Sequence, residues 1–212
     1  MESQSEQQKP RPYHHGDLRN GLIQAGLELL EEGSALELDL RKVARRAGVS
    51  HGAPYRHFAD KQALLAAIIE EGFRLLAREI REGQQGQPDE PFEQLLGVAR
   101  AYVHFAQAHP WLMREMFIGL AIGRENHEGA HRASKEVYRI YTAVIGRGQE
   151  QGKLVAGDLG VLAGVFWSAL HGLAILIIEK QLSSYADGPE GTERVTRYTI
   201  EVLYHGLAAK QG

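Results

Sequence analysis

Two short stretches place reactive side chains at spacings that chemistry uses. The first is "HEGAH", His127 to His131, with Glu150 further along the chain. On a helix, His127 and His131 fall one turn apart on one face. Two such imidazoles can ligate zinc, with Glu128 as general base and Glu150 as a third ligand. That would be an enzyme of the metallopeptidase type. The surroundings argue against it. "GRENHEGAHRASKE" is polar throughout and interrupted by Gly129, whereas a zinc-protease helix floors an apolar cleft. Ten histidines in 212 residues make a chance match ordinary. The chain is read as not an enzyme, with no metal and no cofactor, and the set His127, Glu128, His131 and Glu150 stands as the alternative.

The second stretch is "VSHGAPYRHFADK", Val49 to Lys61. Small residues, Gly52 and Ala53, come first. Tyr55, Arg56, His57 and Lys61 follow where a core helix would carry leucines. A phenol, a guanidinium, an imidazole and an ammonium suit phosphate oxygens and base edges. Gly52 and Ala53 would let the backbone approach a groove floor. Local charge agrees. Between Leu40 and Lys61 stand Arg41, Lys42, Arg45, Arg46, Arg56 and Lys61 against Asp60 alone, in a chain of net charge -3. A basic face on a slightly acidic protein is a directed patch. The plain alternative is a helical hairpin with a solvated basic face.

The elements that must position these groups read as helices. Composition is that of a soluble globular protein, 43% hydrophobic and 24% charged, and the absence of cysteine excludes disulfides and thiolate metal sites. Residues 1–12 are polar, with two prolines and no apolar run, and read as a mobile arm rather than a signal peptide. Leu18, Leu22, Ala25, Gly26 and Leu29 give a helical period that stops near Gly33. Asp39 is placed to cap a short helix from Leu40 to Ala47, Ser50 a third, and Asp60 a long fourth. Gly48 suits a positive φ at the turn between the second and third. Helix, tight turn and helix make a helix-turn-helix, whose second helix enters the major groove. "REGQQGQPDEP" reads as a linker, and no alternating run signals a sheet. The expected fold is all-α: a helix-turn-helix domain of three helices over residues 13–60, then a helical ligand-binding and dimerisation domain over 61–212.

From Leu159 to Ile178 there are twenty residues without formal charge, long enough to cross a membrane. Asp158 and Glu179-Lys180 flank the run closely, and it contains Ser168, His171, Gly164 and Gly172. A helix apolar all round is also what a buried contact between chains needs. With a companion over residues 191–208, the helix over 158–180 would form a four-helix interface between two copies. No membrane partner is expected. "GRGQEQGKL" has the wrong glycine spacing for a phosphate loop, with Leu154 where a hydroxyl is needed.

"YHHGDLRNGLIQAGLELLEEG" followed by "LDLRKVARRAGVSHGAPYRHFADKQALLAAI" resembles the N-terminal DNA-binding domain of TetR-family transcriptional regulators, over about seventy residues without a gap. "FWSALHGLAIL" resembles the Trp…His-Gly signature of one C-terminal subgroup, here Trp167, His171 and Gly172. The resemblance implies a homodimer, a palindromic DNA operator and a ligand pocket in the C-terminal domain; the absence of cysteine fits a cytoplasmic location. It implies that Tyr55 and Lys61 touch phosphates while His51, Gly52, Ala53 and His57 face bases. Arg11, Arg41, Ser50 and Arg56 complete the expected DNA-binding set. One departure is Asp39, whose carboxylate would repel a phosphate. The function expected is a repressor released by a small, mostly apolar effector. Phe105, Trp111, Met116, Phe117, Tyr141, Trp167 and His171 are the expected ligand-binding residues, with core packing as the plainer role for each and a hydrogen bond within the core for His171.

Overall fold

The computed structural model describes residues 18–33, 38–121, 128–182 and 184–207. Among these residues there are eight α-helices: α1 Leu18–Glu32, α2 Leu40–Arg46, α3 Lys61–Gln84, α4 Pro91–Ala108, α5 Pro110–Ala121, α6 Glu128–Glu150, α7 Leu159–Ile178 and α8 Gly188–Leu207. Among the described residues there is no sheet. The expected arm over residues 1–12 lies outside them.

Two compact units divide between Ile68 and Ile69. That point lies inside α3, beyond the boundary expected at its first residue. The reason is packing. Leu64 and Ile68 are fully buried in the first unit with Leu22, Leu30, Val43, Ala44 and Phe58. A Cβ on Gly26 would fall 2.5 Å from Ile68 Cδ1, so a glycine lets α1 approach the opening turns of α3. Asp39 caps α2 by accepting from the Arg41 amide at 3.0 Å, and Asp60 caps α3 by accepting from the Ala63 amide at 2.8 Å.

The third helix departs from expectation. Only a 3-10 turn forms, Pro54–Arg56, and Ser50 is not its cap. Pro54 has no N–H to return to the Ser50 carbonyl, which accepts instead from Ala53 at 2.9 Å. Pro54's own carbonyl takes both the His57 and the Phe58 amides, each at 2.9 Å. The chain tightens rather than coiling into an α-turn.

In the second unit α4 is the central helix. Leu95, Leu96, Val98, Ala99, Tyr102, Val103, Phe105 and Ala106 are buried around most of its circumference, where it packs against α5, α6, α7 and α8. Pro91 occupies its first turn, where a missing N–H costs little. Asp158 caps α7 by accepting from Val161 at 2.9 Å.

Candidate nucleic-acid interface

The reader is built from the turn outward. α2 ends at Ala47, and Gly48 takes φ 69°, as its place in the turn requires. Val49 then returns its amide to the Ala44 carbonyl at 2.9 Å, which seats the following residues on α2. Ala53, Pro54 and Phe58 turn inward, while Ser50, His51, Gly52, Tyr55, Arg56 and His57 remain exposed. Ala53 is therefore a correction to the expected set: it is 8% exposed and fills the core, leaving Gly52 as the small residue on the open side. Lys61 is half-buried at the head of α3, and Arg41 is exposed in the first turn of α2. Arg11 lies outside the described residues.

Charge on this unit is less uniform than the sequence suggests. Arg46 bonds Glu28 at 3.2 Å and also Glu32, tying α2 to α1. Its hydrogen bond holds the Glu32 carboxyl below the usual range. Arg46 is thereby withdrawn from the basic patch. Arg19, Arg41, Arg45 and Arg56 have no ion pair among the described residues. Arg19 was not among the expected residues. Its guanidinium lies over the Phe58 ring, 5.5 Å from the centroid. No local pattern connects positions so far apart in sequence.

Three of the expected ligand-binding residues come together. His171 sits 4.4 Å from the Phe117 ring and stacks on Trp167 at 5.4 Å. Tyr102 of α4, not among the expected ligand-binding residues, places its phenol oxygen 2.9 Å from His171 Nδ1. His171 is thus hydrogen-bonded within the core, as expected of it. Burial pushes the Tyr102 phenol up and the His171 imidazole down, so both are neutral near pH 7. Tyr141 belongs to a neighbouring cluster, 5.4 Å from Phe166. Phe105 and Met116 are fully buried. Trp111 does not join them: it is 39% exposed, under the Arg114 guanidinium at 4.8 Å.

The zinc alternative fails on geometry. α6 is one continuous helix, so His131 and Glu150 lie about 28 Å apart at the helical rise, too far to share an ion. His127 lies outside the described residues. Among the described residues no three His, Asp or Glu side chains gather to hold a metal.

Comparison with known proteins now bears on this arrangement. The profile of bacterial regulatory proteins of the tetR family matches residues 22–68, and that of a tetracyclin repressor-like C-terminal domain matches 95–203, more than half of the chain. The chain belongs to the TetR family. The tetracycline repressor protein class A from transposon 1721 of Escherichia coli is 37% identical over 83 residues, covering 39% of this chain and 37% of that protein. The likeness therefore spans little more than a third of that repressor. A solved structure of a protein of unknown function from Rhodococcus sp. RHA1 has a TM-score of 0.82 at 31% identity, over 94% of this chain and 100% of that one. The fatty acid degradation regulator FadR from Bacillus halodurans shares the fold, with a TM-score of 0.72 at 16% identity over 91% of this chain and 97% of that one.

The tetR-family profile runs from Leu22 to Ile68, the span whose buried side chains form the first unit's core. The C-terminal profile takes in α7, which is long and apolar enough to cross a membrane by length and composition, with a mean hydropathy of 2.2. In this TetR-family chain α7 packs on α4, α6 and α8 while Val161, Val165 and Leu176 stay exposed. Tyr198 and Val202 of α8 are exposed as well.

Proposed function

We propose that this protein is a dimeric, DNA-binding transcriptional regulator of the cytoplasm, a repressor released by a small, largely apolar effector. One observation carries the reading: a glycine-hinged turn presents Ser50, His51, Gly52, Tyr55, Arg56 and His57 on one exposed edge while Ala53, Pro54 and Phe58 anchor it. Tyr55 and Lys61 serve backbone phosphates, with Arg41 and Arg11 in support. His51, Gly52 and His57 meet base edges in the major groove. Two copies are joined through α7 and α8, over residues 158–180 and 191–208, and set two readers about 34–36 Å apart, one turn of DNA. Exposed valines, Leu176 and Tyr198 support that contact, since a monomer gains nothing by leaving them in water. α3 starts in the first unit and continues in the second, so it is the segment that carries the effector signal. Phe117, Trp167 and His171, the last two from the Trp…His-Gly signature, line the effector site. An effector that favours one arrangement weakens the operator by its differential affinity for the two.

The test is selection of DNA from a random pool by the purified protein. The reading expects an inverted repeat with half-sites one helical turn apart. Enrichment of no sequence at all would sink it.

A further inference from the structure

Arg19 lies in the first turn of α1, remote in sequence from the reader. Its guanidinium nevertheless sits over the ring of Phe58, the residue directly after His57. Phe58 is 3% exposed, so the ring is a fixed platform. Arg19 is exposed, and among the described residues no hydrogen bond or ion pair engages it. Arg46, by contrast, is held by Glu28 and Glu32. A guanidinium held over a ring at cation–π distance is partly pre-positioned and loses less freedom when its N–H groups are used. An uncompensated, pre-positioned fork at the border of a DNA-reading edge has the form of a phosphate grip.

We propose that Arg19 is a backbone-phosphate contact of the DNA interface, positioned by Phe58 at the C-terminal edge of the reader. This rests on the DNA-binding reading above and adds to it a residue from outside the helix-turn-helix. The phosphate contact sets affinity and register and carries no base preference.

The experiment measures binding of the selected operator and of an unrelated duplex across a salt series, for wild type and Arg19→Ala. The slope of log affinity against log salt flattens by about 0.9 per subunit, so by about 1.8 per dimer. Both duplexes weaken by the same factor, leaving their ratio unchanged. Arg19→Lys retains the slope. Arg19→Met keeps an apolar stem over Phe58 and loses the charge, so it repeats the slope change even where Arg19→Ala lowers the melting midpoint. An unchanged slope in both Arg19→Ala and Arg19→Met, with wild type binding normally, overturns the assignment of Arg19 alone. A wild type with no salt-dependent DNA binding overturns the DNA-binding reading, and this proposal with it.

Discussion

The phenol oxygen of Tyr102 on α4 lies 2.9 Å from Nδ1 of His171 on α7, with both rings in an aromatic core. Trp167, four residues before His171, stacks on the imidazole with ring centroids 5.4 Å apart. Phenol and imidazole are both neutral near pH 7, so one donates and the other accepts; a phenol that donates to Nδ1 leaves the imidazole proton on Nε2. One part-buried hydrogen bond thus links two helices without a charge. Tyr102→Phe leaves Nδ1 of His171 without its partner and should cost about 1–3 kcal/mol. Urea unfolding checks it. A loss below a few tenths would mean that the contact is incidental.

Burial holds the His171 pKa below its unfolded value of about 6.5. The unfolded chain therefore binds the proton first as pH falls. His171's share of stability is intact above about pH 6.5 and is lost as pH drops from there through the folded value. The difference in unfolding midpoint between wild type and His171→Gln should thus shrink on going from pH 7.5 to 5.5. A difference that holds constant or widens would contradict the sign.

Lys180 closes α7 at φ 56°, a left-handed conformation that costs a side-chain-bearing residue about 1–2 kcal/mol. Its amide returns to the Ile177 carbonyl at 3.0 Å and that of Gln181 to Leu176 at 2.8 Å, a helix stop that glycine makes without strain. Lys180→Gly should raise stability by about 0.5–1 kcal/mol after glycine's extra unfolded-state entropy is counted. In a chain of this size the melting midpoint rises by about 1–4 °C. A lowered midpoint would show that Lys180 earns its place through another contact.

α3 and α4 meet backbone to backbone at Gly97, where a Cβ would fall 2.8 Å from the Gly83 carbonyl oxygen. A carbonyl in a helix cannot rotate aside, so Gly97→Ala must push the helices apart, costing about 1–3 kcal/mol. Gly146 is the control. A Cβ there meets only Leu159 Cδ2 at 3.8 Å, and Gly146→Ala should gain up to about 1 kcal/mol of helix propensity. Opposite signs in thermal unfolding support the close crossing, and like signs dismiss it.

Much of this arrangement was legible in the sequence where its cause is local. Asp39 and Asp60 cap helices because their oxygens reach amides two or three residues on. Gly48 takes positive φ because the turn after α2 demands it. Failures came where a local rule met a second constraint. Ser50 looks like a cap, but Pro54 removes the amide that an α-turn would use. Ala53 looks outward by neighbourhood, yet the tightened turn rotates it into the core. Contacts between distant residues left no trace at all. Arg46 is neutralised from α1, and Arg19 is placed by Phe58.

The last prediction concerns the face of α7. Among the described residues, nothing outside α7's own neighbouring turns comes within 4 Å of a Cβ built on Gly164 or Gly172. Both lie on the flank that also carries Val161 and Val165, which are 64% and 45% exposed. A side chain at Gly172 therefore meets no obstacle to folding. In a dimer joined through α7 and α8 it meets the partner. Gly172→Arg would then force a charge into a close apolar contact, where an uncompensated ion costs several kcal/mol, on the order of 3–5. By symmetry each dimer carries the lesion twice. Wild type should sediment as a dimer at micromolar concentration, and Gly172→Arg as a monomer with unchanged helical circular dichroism. Gly172→Ala, small enough for close helix contact, should remain dimeric. A monomer should also lose operator affinity far more than affinity for a single half-site, because the second reader no longer binds at high effective concentration. A dimeric, well-folded Gly172→Arg would move the interface off this face of α7.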